Sequence, residues 1–400
     1  MIEGKDIVII AVQAWDIEIG SNCKNIALEF AKKNRVLYVN PPLNRATIKN
    51  NRNSEKVQKR IKIKEGLEED LYEIESNLWN LYPKSIHESI NWLPNHSLFK
   101  ILNKRNSRIL SNDIKTAISR LDFKDFILFN DSSMFLGLHL KHYLKPKIDV
   151  YYMRDFLVNE AYFKKHGERL EPEIIKQADL VVTNSDFYAD HARKYNANSV
   201  MVGQGCDVSL FSDENNTIQI PIEFKDIASP IIGYVGSLVS IRLDIELLAY
   251  MAIQRKDWNI VLVGPEDQEF KNSSLHDLSN IHFLGSKDGS ELPSYIKGFD
   301  ITMNPQLVNN LTIGNYPRKI DEYLAMGKPV IATKTKAMEM FQDHVYLASS
   351  KEEYITLIEK ALEENTATLS QERKEFAQSH SWENNVLAIY RAIINTKMYQ

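Results

Sequence analysis

NYPRKIDEYLAMGKPV, residues 315–330, reads as a single helix-to-strand joint. Pro317 suits the start of a helix and Gly327 its C-terminal cap. Ile320, Tyr323 and Leu324 fall at the spacing of one buried face, and the run from Val330 to Thr333 then suits a strand. The same joint recurs upstream. Strands are predicted at Ile231–Val235, Asn259–Val263, Ile281–Leu284 and Ile301–Asn304, and helices at Leu243–Gln254, Glu291–Lys297, Lys319–Ala325 and Lys351–Glu364. Strands that alternate with helices predict a parallel sheet with helices on its faces. Ligands of such sheets sit beyond the carboxyl ends of the strands.

Ahead of residue 230 the rhythm breaks over Asp207–Ser229, where Asp, Glu and Asn cluster at 213–216 and Pro221 and Pro230 punctuate the stretch, as in a linker. Before that break the alternation appears again, with predicted strands at Asp6–Val12, Arg35–Asn40, Leu71–Glu75, Phe126–Asn130, Ile148–Tyr152, Leu180–Thr183 and Ser199–Gly203. Cys23–Lys33 and Glu171–Ala178 read as helices, and Ser381–Lys397 as a terminal one. Four hundred residues thus divide into two α/β domains, 1–212 and 213–383, followed by a terminal helix at 384–400.

The composition, 44% hydrophobic and 26% charged, is that of a globular chain and excludes disordered, collagen-like and disulfide-rich classes. No apolar stretch approaches the length of a membrane-spanning helix. The first residues carry Glu3, Lys5 and Asp6 and do not read as a secretory signal. With only Cys23 and Cys206, the expectation is a cytoplasmic protein without a disulfide framework or zinc site. Residues 1–215 hold 31 basic and 29 acidic side chains, and the remainder 18 and 24. One segment, Arg45 to Lys64, holds eight basic residues opposed only by Glu55. That segment fits a solvated face, or a surface that meets an anionic lipid headgroup or a phosphate-bearing acceptor. The overall acidity and the absence of a matching motif argue against nucleic acid.

Three places carry candidate chemistry. Gly233-Tyr-Val-Gly236-Ser237, with Arg242 beyond it, ends a predicted strand. Its glycines permit close backbone approach to a ligand, and Arg242 offers forked hydrogen bonds to phosphate, although an ordinary tight turn has the same pattern. Gly264-Pro265 ends the next strand. Lys319 lies near a helix N-terminus, which disfavours a cation unless an anion sits there too. Glu322, one turn on, is placed to accept hydrogen bonds from a ribose diol. A capped amphipathic helix with both side chains solvated fits the same letters.

The stretch from Ile231 onward resembles the donor domain of GT-B glycosyltransferases of the family 4 type. The resemblance rests on GYVGSL with Arg242, LVGPE, IHFLGS, ELPSYIKGFDITMNP and above all PRKIDEYLAMGKPVIAT. The Pro-x-Lys-x-x-Glu-Tyr-Leu-Ala form is similar to a subset that includes teichuronic-acid and capsule biosynthesis enzymes. VQAWDIEIGSNCKNIALEFAKKNRVLYVNPP, ADLVVTNSDFY and VGQGCDVSLF resemble parts of the acceptor domain. The resemblance covers roughly residues 5–40 and 148–395. It implies two Rossmann-like domains facing each other across a cleft, with the terminal helix crossing back to the first. It implies a nucleoside-diphosphate sugar bound by Gly236, Ser237, Arg242, Gly264, Lys319 and Glu322. In it Arg242 takes the place of the usual phosphate-binding lysine, and Glu322 the ribose contact. A second glutamate of the family, eight positions earlier, is Gly314 here. This departure leaves open whether the transfer retains or inverts configuration.

The expected reaction is sugar transfer to a saccharide or lipid-linked acceptor in cell-envelope or capsular polysaccharide synthesis. Arg242 and Lys319 would stabilise the departing diphosphate, with no metal or other cofactor. An inverting reaction needs a base, for which Asp155 and Asp16 are the candidates. Each also suits a helix cap or a solvated loop. Trp79–Arg108 interleaves aromatic and basic residues. It reads as a core helix with a basic outer face, or with Arg45–Lys64 as a peripheral contact at the inner membrane face. Two alternatives stand beside the transferase. One is a nucleotide-sugar 2-epimerase on the same fold, and the other a non-catalytic nucleotide-sugar-binding scaffold.

Overall fold

The computed structural model describes residues 1–17, 20–213 and 215–396. The chain forms two compact units, Met1–Gly203 with Asn385–Gln400, and Gln204–Asn384. The expected boundary at 212/213 thus shifts toward the N-terminus. The physical reason is Phe211, which is buried in the second unit's core beside Phe224. Most of the expected linker is irregular, with a short 3-10 turn at Ile222–Phe224.

The second unit is built on six parallel strands. Across the sheet they run Ile281–Gly285, Asn259–Val263, Ile231–Val235, Ile301–Asn304, Val330–Thr333 and Tyr346–Ala348. Side chains alternate between faces, as the two-residue repeat of a strand dictates. Val261, Val263, Val330 and Ala332 join one apolar cluster, while Ile260, Leu262 and Ile331 join another. A sheet buried on both faces explains why these strands read as continuous apolar runs. The order of strands reverses beside Ile231–Val235, so the crevice of a doubly wound sheet opens beyond that strand and Ile301–Asn304.

The first unit has eight strands in the order Ser199–Met201, Leu180–Thr183, Ile148–Met153, Ile127–Asp131, Asp6–Ile10, Arg35–Val39, Leu78–Leu81 and Leu71–Glu75. Only the last pair is antiparallel. Its order reverses beside Asp6–Ile10. A separate two-stranded ribbon pairs Leu43 with Ile86 and Asn44 with His87. The terminal helix, Trp382–Ile394, ends inside the predicted span; Lys397, at the end of that span, lies outside the described residues. Asn385 begins the part of it assigned to the first unit, donating to the carbonyls of Val202 and Gly203 at 3.1 and 2.9 Å. Tyr390 then stacks on Phe30, with ring centroids 5.5 Å apart.

The predicted Trp79–Arg108 segment is not one amphipathic piece. It crosses strands Leu78–Leu81 and Ile86–His87 before entering the helix His96–Leu121. Tyr82, Leu93 and Phe99 are buried, whereas Trp92, Leu98 and Ile101 are exposed. The basic run Arg45–Lys64 forms two helices, Arg45–Asn51 and Glu55–Glu65.

Candidate functional site

Three loops at the carboxyl edge of the second unit's sheet lock together. After Ile231–Val235 the chain turns through Gly236, at φ +137°. The Gly236 N–H donates to Val263 O at 2.8 Å, and the Leu238 N–H to Pro265 O at 2.8 Å. Gly264 has φ +152°, and a Cβ there would collide with the Gly236 carbonyl. Only glycine lets these two backbones touch. Ser240 donates through its N–H and its hydroxyl to Asp267, at 2.7 and 2.8 Å. On the other side, Leu307 N–H donates to Arg242 O and Asp244 N–H to Pro305 O, at 2.8 and 2.9 Å. The 236–244 loop is thereby held between the turns that follow the neighbouring strands. Ser237 and Arg242 are exposed on it. The Arg242 side chain makes no hydrogen bond or ion pair among the described residues.

The helix Lys319–Ala325 supplies the other groups. Ile320, Tyr323 and Leu324 are fully buried beneath it, as the sequence spacing requires. Gly327, at φ +71°, closes it, with Lys328 N–H reaching back to Tyr323 O at 3.0 Å. Tyr323 is more than filler, because its hydroxyl accepts from Val235 N–H at 2.8 Å and so fixes the helix to the strand end. Lys319 is half-buried, its ammonium 3.8 Å from the centroid of the Tyr234 ring and hydrogen-bonded to that hydroxyl. A Cβ at Gly236 would lie 2.7 Å from the same ammonium. Desolvation, aided by the positive charge of Arg242 and opposed by Glu322, lowers the Lys319 pKa to about 7. Glu322 is buried, and its carboxylate accepts from Arg318 Nε at 3.1 Å. Burial raises its pKa, against the pull of Arg318 and Lys319.

Gly236, Gly264, Lys319 and Glu322 are thus linked in one region of the second unit, with Arg242 close enough for its charge to act on Lys319. Sequence reasoning missed Tyr234 and Arg318. The Arg318–Glu322 pair was readable from its i, i+4 spacing. Tyr234 carried no signal beyond its place in the strand. A buried cluster lies behind the helix, where Asp321 accepts from Tyr316 OH at 2.7 Å and contacts His380 Nδ1 at 2.7 Å.

In the first unit, Asp155 and Asp16 are both ion-paired. Asp155 Oδ2 accepts from Arg154 at 2.8 Å, and Arg154 also binds the fully buried Asp131 at 2.8 Å. Asp16 lies 3.3 Å from Arg60 of the helix Glu55–Glu65. Among the described residues, no three His, Cys, Asp or Glu side chains group as a metal site, and no helix is long and apolar enough to cross a membrane.

Residues 229–364 match the family model described as glycosyl transferases group 1. Over 240 residues the chain is 26% identical to TuaH of Bacillus subtilis (strain 168), named as a teichuronic acid biosynthesis glycosyltransferase. That match covers 57% of this chain and spans 60% of the relative's length. Among solved structures, Anabaena Alr3699/HepE in complex with UDP superposes with a TM-score of 0.66 at 13% identity, covering 97% of this chain and 98% of that one. Sucrose-phosphate synthase from Thermosynechococcus elongatus gives 0.64 at 16% identity, with the same coverage. Residues 229–364 are therefore a glycosyl transferases group 1 domain, within a chain that has the GT-B fold of two Rossmann-like units.

Proposed function

We propose that this chain is a glycosyltransferase that takes a sugar from a nucleoside diphosphate bound in its second unit. It passes that sugar to a saccharide or lipid-linked acceptor of cell-envelope polysaccharide. The observation that carries the reading is Lys319, a half-buried ammonium beside two close-packed glycine turns, with no carboxylate within ion-pair distance among the described residues. An ammonium taken from water without a counter-charge is costly. A diphosphate supplies that charge, at the ammonium that lies against the Gly236 turn. Arg242, exposed and unpaired, adds a second cation where negative charge develops as the sugar leaves. These side chains, rather than a resident metal, are the proposed counter-charge. Glu322, oriented by Arg318, is the proposed ribose contact.

The acceptor reading draws on the kinship with a protein named for teichuronic acid synthesis. Peripheral membrane contact draws on exposed Leu98 and Ile101 and on the exposed basic side chains of the Arg45–Lys64 helices. Each basic residue near an anionic bilayer contributes about 1 kcal/mol. Co-sedimentation with vesicles containing anionic lipid, absent with neutral vesicles, tests that contact.

The primary test is thermal stabilisation by UDP, GDP, TDP and ADP. A ligand at about one hundred times its dissociation constant stabilises by ~2.7 kcal/mol. The matching nucleotide sugar is then incubated with and without a lipid-saccharide extract. Turnover only with the extract supports the transferase. Turnover of the donor alone points to an epimerase, and binding without any turnover to a scaffold.

A further inference from the structure

A second hollow lies wholly within the first unit. It is an open cavity of about 560 Å³ beside the two-stranded ribbon. It lies beyond the carboxyl ends of three sheet strands, since its walls come from the segments that follow Arg35–Val39, Leu78–Leu81 and Ile127–Asp131. Six of its eighteen lining residues are asparagines, none is Lys or Arg, and Glu88 is the one formal charge. Glu88 is already paired with Arg45 at 2.9 Å.

Several of these polar groups have unused hydrogen-bonding capacity. Asn44 accepts from Thr47 N–H at 2.9 Å and from the Ser89 hydroxyl at 3.0 Å, while its amide N–H2 donates to no group among the described residues. The side-chain amides of Asn50 and Asn51, both exposed on the rim, have no partner among the described residues. His87 is 3% exposed, and its Nδ1 is buried without a partner. Burial lowers the His87 pKa to about 4, so the ring is neutral near pH 7. The Asn91 Oδ1 is likewise buried and unpaired, although its Nδ2 donates to the Tyr162 carbonyl.

The mixture decides the chemistry. A phosphate or carboxylate offers acceptors only, and a wall without Lys or Arg, whose one formal charge is the already paired Glu88, gives it no counter-charge. A sugar hydroxyl both donates and accepts, as the amides do. One wall also carries Trp92, exposed by 71% yet held in place, because its indole N–H donates to Ser89 O at 2.7 Å. A fixed aromatic face with polar groups around it suits the apolar C–H face of a pyranose ring.

We propose that this cavity binds an uncharged sugar unit, with Trp92 as the stacking surface and Asn44, Asn50 and Asn51 as hydrogen-bond partners. If the transferase reading holds, on which this assignment of role rests, that unit belongs to the acceptor, and the acceptor is a neutral saccharide at this position. A charged or phosphorylated sugar would be excluded.

The test is fluorescence and calorimetric titration of the full chain with maltose, cellobiose, lactose and N,N′-diacetylchitobiose, with glucose 6-phosphate as the charged control. UDP is titrated in the same preparation. At least one neutral disaccharide is expected to bind, the phosphorylated sugar to bind more weakly, and Trp92→Ala to weaken the disaccharide about tenfold or more, the loss expected of a central aromatic anchor. UDP affinity is expected to be unchanged in that variant. Trp92 is exposed, so the fold survives its replacement, and Asn50→Ala at the rim gives a second and smaller loss. Binding of none of the disaccharides, preference for the phosphorylated sugar, or unchanged disaccharide affinity in Trp92→Ala overturns the proposal. Disaccharide binding without binding of any of UDP, GDP, TDP and ADP instead overturns the donor reading and leaves this site standing.

Discussion

The Lys319 ammonium faces the ring of Tyr234 at 3.8 Å, where an ion-pair partner would ordinarily stand. Tyr234 is buried, and burial pushes its own proton affinity up, so it stays a neutral neighbour. A cation over an aromatic face gains about 0.5–2 kcal/mol. Removing an ammonium from water costs several. The contact therefore does not complete the site, and the free protein holds an unfavourable cation that an anion would relieve.

Replacing that cation separates stability from binding. In Lys319→Met the free protein is expected to melt higher, while nucleoside diphosphate affinity falls about tenfold or more. The sign with pH follows from the pKa of about 7, which is below the value of about 10.4 for an unfolded lysine. Between those values the unfolded chain binds more protons, so the Lys319 penalty is complete below about pH 7 and fades as pH rises. Diphosphate binding favours the ammonium, so affinity should fall above about pH 7, by at most about tenfold per unit. Urea midpoints and calorimetry near pH 6 and 9 check both. A destabilised Lys319→Met with wild-type affinity would contradict the assignment.

Glu322→Ala should leave the fold intact and weaken the nucleotide by about 10–100-fold, the loss expected when a charged hydrogen-bond acceptor is removed. Arg318→Met should weaken it less, since Arg318 acts by holding the carboxylate at 3.1 Å. A 2′,3′-dideoxyribose analogue of the diphosphate should bind the wild type and Glu322→Ala alike. Equal sensitivity of the analogue and the parent to the mutation would place Glu322 away from the ribose.

Gly264→Ala forces a side chain onto the Gly236 carbonyl at a backbone angle that other residues rarely adopt. A loss of about 1–3 kcal/mol in stability is expected, together with weaker nucleotide binding, because the two turns must part. Gly289→Ala meets nothing within 4 Å and is the control. Thermal melts of both variants decide the matter.

The sheets were legible in the sequence because parallel strands buried on both faces read as short apolar runs, as at Asn259–Val263. The helix Lys319–Ala325 was legible because Pro317 and Gly327 bracket it. Tyr234 was not, since only the folded register carries the Lys319 chain across it. The partner of Asp16 was equally hidden. Arg60 lies 44 residues from Asp16 and meets it only through the packing of a helix that the sequence left unassigned. The asparagine-rich cavity was hidden for the same reason, because its walls come from segments far apart in the chain.

His380 contributes in a way that the loops do not. Asp321 is fully buried, and its two oxygens meet Tyr316 OH and His380 Nδ1, each at 2.7 Å. Burial raises the Asp321 pKa, while His380 and Tyr316 oppose the rise. The His380 carbonyl also accepts from Cys206 N–H at 2.8 Å, so the residue ties the start of the second unit to the approach of the terminal helix. Truncation in His380→Ala keeps that backbone bond but strips the carboxylate of one partner, which for a buried charged group costs about 3–5 kcal/mol. The additional change Asp321→Asn removes the charge that was left exposed to this cost, so the double variant should recover part of the loss. Acidification should also narrow the gap between His380→Ala and the wild type. A buried acid with a raised pKa destabilises most when ionised, and this penalty disappears as pH falls through its folded value. Urea unfolding of the four proteins of this cycle measures the coupling; strictly additive losses would mean that the pair does not act together.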